Sequence, residues 1–228
     1  MNAYKLKYLS VNLFRFISVA AVISHFLPLV ILLLKKAWHD RFFLLFAMYW
    51  CLSGVVNLAD VVPGESKNSI QNISIFYNML NIPFILGILY YTTAYNFIRK
   101  TASAAIVLVL VLQVISIFKS GIGYDSLKYP LGTGVLTVIC IVAMEIIRYM
   151  QKIDHSTREN AKMFVYAAIL FENATFIIIY IHDYFLISED YQDRYFIYYI
   201  STLVAIMIAS CGFLIYKKYS SIASYLKS

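Results

Sequence analysis

Seven apolar runs, each near the length that crosses a lipid bilayer as a helix, follow one another with little chain between them. They lie at about Phe14–Leu34, Phe42–Val62, Ile73–Phe97, Ala102–Phe118, Leu131–Met150, Lys162–Tyr184 and Arg194–Tyr216, and a spanning helix needs roughly 17–25 such residues. Backbone immersed in lipid must satisfy its own hydrogen bonds, so runs of this length form helices. The expected fold is all-α: a polytopic membrane protein, one seven-transmembrane-helix bundle over residues 1–228. The longest connections, around Pro63–Asn72 and Phe185–Asp193, leave no room for a soluble domain.

Composition agrees with that reading: 61% of the chain is hydrophobic and 14% charged, against roughly 45–50% and about 25% in soluble domains. The net charge of +7 does not point to nucleic acid, because Lys and Arg fall in short clusters between the runs and form no continuous basic face. Lys5, Lys7 and Arg15 resemble the basic start of a secretory signal. The run they precede is too long and ends at Lys35 and Lys36 without a small-residue cleavage site, so it is read as a retained span.

The basic clusters also orient the bundle. One side receives Lys35, Lys36, Arg41, Arg99, Lys100, Arg148, Lys152, Arg158, Lys162, Lys217, Lys218 and Lys227, twelve of the 19 basic residues. The other receives Lys5, Lys7, Arg15, Lys67, Lys119, Lys128 and Arg194. Positive residues favour the cytoplasm, which puts the N-terminus outside, the C-terminus in the cytoplasm, and the acidic Glu189, Asp190 and Asp193 outside. Tyrosines gather near the run ends, among them Tyr90, Tyr91, Tyr95, Tyr195, Tyr198, Tyr199 and Tyr216, and are read as interfacial anchors.

Polar residues inside spans are costly unless they face protein or water. In the second run Ser53, Asn57 and Asp60 share a helical face, as do Ser74, Asn78 and Asn81 in the third, followed by Pro83. In the sixth, Glu172, Thr175, Ile179 and His182 share one side, with Asn173 adjacent. Glu172, Asn173 and His25 fall near mid-membrane, and Asn57, Asp60, Asn78, Asn81, His182 and Asp183 in the outer half. These positions describe a cavity reaching inward from the outer face, floored by Glu172 paired with His25 and walled by asparagines. Its expected ligand-binding residues are Glu172, Asn173, His25, Asn57, Asp60, Asn78 and Asn81.

Two further features bear on packing. Pro83 leaves a carbonyl one turn earlier without its intrahelical donor, and Pro28 places a second kink just after His25. In the seventh run Ser201, Ala205, Ala209 and Gly212 form a small-residue stripe that suits close helix packing, within the bundle or between copies in a homo-oligomer. The fourth run is the most uniformly apolar and is expected to face lipid most, with Gln113 touching a neighbour. If that run is a linker, the flanking triplets have a three-plus-one-plus-three layout.

Size and orientation resemble the microbial rhodopsins, but the last run has no internal lysine for a retinal Schiff base; the nearest are Lys217 and Lys218. The four histidines form no i, i+3 or i+4 pair, and no nucleophile elbow, phosphate-cradling glycine loop or diiron pattern is present. No cofactor or metal is expected. The layout and the Asn78-x-x-Asn81-x-Pro83 pattern resemble uncharacterised bacterial seven-span proteins, which implies a bacterial inner membrane and carries no activity. The leading expectation is transport or sensing of a small polar solute or ion through the Glu172 site, since amides both donate and accept and a buried carboxyl can couple to protons. The alternatives are a non-catalytic oligomeric module, pore-forming or assembling with a partner, and a lipid-modifying enzyme using Glu172 and His25 as acid and base.

Overall fold

The computed structural model describes residues 3–61, 67–185 and 191–216, with side chains over 13–58, 72–185 and 196–216. Apart from short connections these residues are helical, and no strand occurs among them. Eight helices follow in order: α1 (Ala3–Ser24), α2 (Leu27–Leu34), α3 (Arg41–Val61), α4 (Lys67–Thr92), α5 (Asn96–Ser120), α6 (Tyr124–Met150), α7 (Thr157–Phe185) and α8 (Tyr191–Ile215). Because α1 and α2 are two halves of one membrane-length segment, seven spans result among the described residues, each long and apolar enough to cross a bilayer.

The break in the first span has a local cause. Pro28 has no amide hydrogen and disfavours helical backbone just before it, and the amides of His25 and Phe26 turn to the carbonyls three residues back, Val22 (3.3 Å) and Ile23 (3.2 Å). The Ala21 carbonyl thereby loses its donor, and His25 Nδ1 replaces it at 2.8 Å. Gly54 of α3 faces the break: a Cβ there would lie 2.7 Å from His25 Cβ.

Neighbour relations arrange six spans in a ring, α1/α2 beside α3, then α4, α6, α7 and α8, which returns to α1/α2. The remaining span, α5, packs outside the seam between α4 and α6. Only 17% of its most apolar stretch is buried, against 28–50% in the other spans, as the uniformly apolar fourth run leads one to expect. Its buried polar residue, Gln113, donates to the Met79 carbonyl at 2.7 Å, the carbonyl four residues before Pro83 that the proline deprives of a donor.

Aromatic rings on α3 hold the ring of helices from within. Phe42, Phe43, Phe46 and Trp50 are fully buried and pack edge-on against Tyr166 of α7 and Phe213 of α8. The small-residue stripe of α8 is buried within the same chain. At Gly212 a Cβ would stand 2.6 Å from the Ala161 carbonyl of α7, so the closeness of α7 and α8 depends on that glycine.

Charged caps secure one end of the bundle. Asp40 Oδ1 accepts from the Phe42 amide at 3.0 Å, which caps α3, and the Arg158 guanidinium grips the same carboxylate at 2.6 and 3.1 Å. Burial by itself would push the Asp40 carboxyl up, but the bonded Arg158 outweighs it and holds the group below the usual carboxylate value. Ser156 and Glu159 form a reciprocal capping box at the start of α7. Lys35 Nζ donates to the terminal carbonyls of α8, Phe213 (3.3 Å), Leu214 and Tyr216 (2.9 Å), where a cation suits the helix dipole.

Several boundaries differ from the sequence expectation, α7 for example starting at Thr157 and not at Lys162, and two of the differences have a local cause. The third and fourth spans are separated at residues 93–95 rather than at Arg99 and Lys100, because Thr93 Oγ1 accepts from the Tyr95 amide and Arg99 folds back on the Thr93 carbonyl (3.0 Å). The fifth span begins at Tyr124, since Pro130 sits inside its helix.

Candidate functional site

At the centre of the ring, α3, α4, α6, α7 and α8 enclose a polar cavity of about 50 Å³. It lies toward the end that carries the second, fourth and sixth connections. Its walls follow from helical spacing: Tyr49 and Ser53 on α3, Tyr77, Asn78 and Asn81 on α4, Glu172, Asn173 and Phe176 on α7, and Tyr198, Ser201 and Thr202 on α8, each set one turn apart on an inward face. On the side of α6 the wall is apolar, Leu131 and Val135.

How closely α6 meets its neighbours at this level is visible in its glycines. At Gly132 a Cβ would lie 2.4 Å from Tyr180 Oη, and at Gly134 one would lie 2.3 Å from Ile82 Cγ2. The two glycines let α7 and α4 approach α6 on either side. Tyr180 crosses over Gly132 to donate to the Lys128 carbonyl at 2.6 Å.

Glu172 is held by one hydrogen bond among the described residues, from Trp50 Nε1 to Oε2 at 3.2 Å. The expected pairing with His25 is therefore corrected: the indole of α3 is the partner. His25 is not among the residues lining the cavity. It is buried at the break in the first span, bonded to Ala21 through Nδ1, with Nε2 unbonded among the described residues. No acid–base pair of Glu172 and His25 is formed.

The other expected residues distribute as follows. Asn78, Asn81 and Asn173 line the cavity with Glu172. Asn173 donates one amide hydrogen to the Ile169 carbonyl of its own helix at 2.8 Å. Asn57 is buried one turn beyond Ser53 and reaches Tyr198 Oη at 3.5 Å, so it supports the wall from behind. Asp60 belongs to α3, but its side chain lies outside the described residues.

Sequence reasoning missed the phenols. Tyr49 and Tyr77 had no role, and Tyr198 was read as an interfacial anchor, yet all three line the cavity. The Ser53 hydroxyl is bonded to that of Tyr77, which donates to Asn81 Oδ1 at 3.2 Å. The signal was in the spacing. Tyr49, Ser53 and Asn57 run at i, i+4 and i+8, and Tyr77 precedes Asn81 by four, so extending each polar stripe by one turn includes the rings. Trp50 carried no comparable signal, because an indole in an apolar run reads as packing.

The lining therefore presents one carboxyl group among neutral hydroxyls and amides. Thr202 Oγ1 is fully buried without a hydrogen-bond partner among the described residues. About 50 Å³ admits a few waters or one small hydrated ion and excludes a metabolite of ordinary size, for which sites run to several hundred Å³. Among the described residues no three His, Cys, Asp or Glu side chains converge as metal ligands. The chain matches no protein-family model, and neither the curated proteins nor the solved structures give a match that would assign it to a family.

Proposed function

We propose that this integral membrane protein binds a proton or a small monovalent cation at Glu172 and either conducts it across the bilayer or senses it. The observation that carries the reading is the Glu172 carboxyl group, whose one hydrogen bond among the described residues, from Trp50, leaves acceptor capacity facing a polar cavity. Neutral oxygens of Ser53, Tyr77, Asn81, Ser201 and Thr202 surround it. One formal negative charge amid neutral acceptors is matched by one positive charge, and a dehydrated divalent ion would find too little to offset its hydration. The cavity volume supports an ion over a zwitterionic solute.

Movement of such an ion needs a gate, and the break in the first span supplies a hinge position. The break at His25 and Phe26 lies beside α3, which carries Trp50, and on its other side Pro83 removes one backbone bond from the continuous helix α4. Discontinuous helices beside a midplane site are the usual arrangement in carriers. The twelve-to-seven distribution of basic residues supports an orientation with the N-terminus outside. The burial of the α8 stripe within one chain, with Gly212 against Ala161 of α7, makes the oligomeric alternative the second reading. The enzyme alternative has lost its pair.

The test is flux in proteoliposomes with an internal pH or sodium indicator. The wild type is expected to dissipate an imposed gradient, and Glu172→Gln, purified to the same yield and helicity, to slow it at least tenfold. A Glu172→Gln protein with wild-type flux would contradict the proposal.

A further inference from the structure

A second concavity lies on the lipid-facing surface between α3 and α4 and is independent of the central cavity. It encloses about 450 Å³ and is lined by Arg41, Leu44 and Leu45 of α3 and by Pro83, Phe84, Gly87, Ile88 and Tyr91 of α4. The lining residues are one face of each helix, at i, i+3, i+4 and at i, i+1, i+4, i+5, i+8. From Pro83 to Tyr91 the groove runs about 12 Å, most of one leaflet of a roughly 30 Å hydrocarbon core. Its floor exists because Gly87 has no side chain. A Cβ at Gly87 would meet nothing within 4 Å, so the glycine is kept by no packing within the chain.

Chemistry changes at one end only. Arg41 is exposed there, donates to the Tyr91 hydroxyl and lies over its ring, 5.8 Å from the centroid. Most other described cations at this end are engaged, Lys35 with helix carbonyls, Arg158 with Asp40, Lys152 with Glu159 (2.5 Å), Arg99 with the Thr93 carbonyl, and Arg148 and Lys162 over the Tyr95 and Phe42 rings, and neither Lys36 nor Lys100 lines the groove. Arg41 has only a neutral phenol and no carboxylate among the described residues. A planar guanidinium with spare donors at the headgroup level, above an apolar slot one leaflet deep, is complementary to a phosphodiester carrying an acyl chain.

We infer that this groove is a site for one anionic glycerophospholipid, its phosphate on Arg41 and Tyr91 and one acyl chain along Leu44, Leu45, Phe84 and Gly87. The full chain in detergent would be titrated with phosphatidylglycerol or phosphatidylcholine of identical chains carrying a photoreactive acyl group. Bound lipid is counted by native mass spectrometry, and crosslinks are mapped. Expected are crosslinks in residues 41–45 and 83–91, with phosphatidylglycerol held about fivefold more tightly than phosphatidylcholine. Arg41→Gln should erase that preference. Gly87→Leu should fill the slot and abolish these crosslinks for both lipids, with Leu44→Trp filling it from the opposite wall should Gly87→Leu not fold. Equal affinity for the two lipids, crosslinks scattered over α5 and the other lipid-facing surfaces, or wild-type crosslinking in a folded groove-filling variant would overturn the assignment.

Discussion

Pro83 takes away the donor that the Met79 carbonyl would use, and Gln113 of a different helix restores it at 2.7 Å. Each half of this pair is visible in the sequence, a proline in an apolar run and one glutamine in the most apolar run of all, but not their meeting, which depends on how α5 lies across α4. If the account is right, Gln113→Leu costs about 1 kcal/mol in the wild-type background. In a Pro83→Ala background, residue 83 can donate to Met79 itself, and most of that cost disappears. A double-mutant cycle by unfolding in mixed micelles measures the coupling, and equal costs in both backgrounds would contradict it. Glycines give a second test, because one substitution changes sign with place. Gly54→Ala drives a Cβ into His25 and should destabilise by about 1–3 kcal/mol. Gly87→Ala meets open space and should stabilise by about 0.5–1 kcal/mol. Thermal melts of the two variants decide. His25 was drawn into the site on depth alone, and depth does not say which way a side chain points. Its local task, replacing its own amide on Ala21, depends on a break that Pro28 only hints at.

Helices and their ends were the most legible level. Apolar run length places all seven spans, since lipid leaves the backbone no alternative to helix. The boundaries were less so, because Thr93 and Asp40 set them through side-chain bonds that hydropathy does not register. At the capped end, stability acquires a pH dependence whose sign can be worked out. The Asp40 carboxyl is held below its ordinary value in the folded state, so its contribution is complete above an unfolded pKa of about 4 and is lost as pH falls through the lowered folded value. Arg158 is half exposed, and after solvent screening the pair is worth on the order of 1 kcal/mol. Melting temperatures should be flat in this respect from about pH 7 to 5 and drop below about pH 4. Asp40→Asn retains an N-cap oxygen while removing the charge, and should show a smaller acid-induced drop. An identical acid limb in the variant would show that other carboxyls govern it.

For the molecule as a whole, six spans close around a polar centre while α5 stays on the rim. Polar stripes at i, i+4 and i+7 point to the centre, and Ser53, Asn78, Asn81 and Glu172 from those stripes share one cavity with the adjacent Asn173. What the stripes left out were the phenols and the indole, whose apolar bodies conceal one polar atom apiece. Orientation is the least structural of the inferences and is simply tested. A fluorescent reporter fused after Ser228 should mature in the cytoplasm; a periplasmic alkaline phosphatase fusion at the same point that is active would reverse the bundle. The central claim, that Glu172 exchanges with a polar occupant at membrane depth, is tested most directly by difference infrared spectroscopy of the reconstituted protein. The account predicts a carboxyl band that is lost in Glu172→Gln, shifts when H2O is replaced by D2O, and responds to pH and to added sodium. A Glu172 band indifferent to deuterium, pH and cation would mean a sealed, dry side chain and would contradict it.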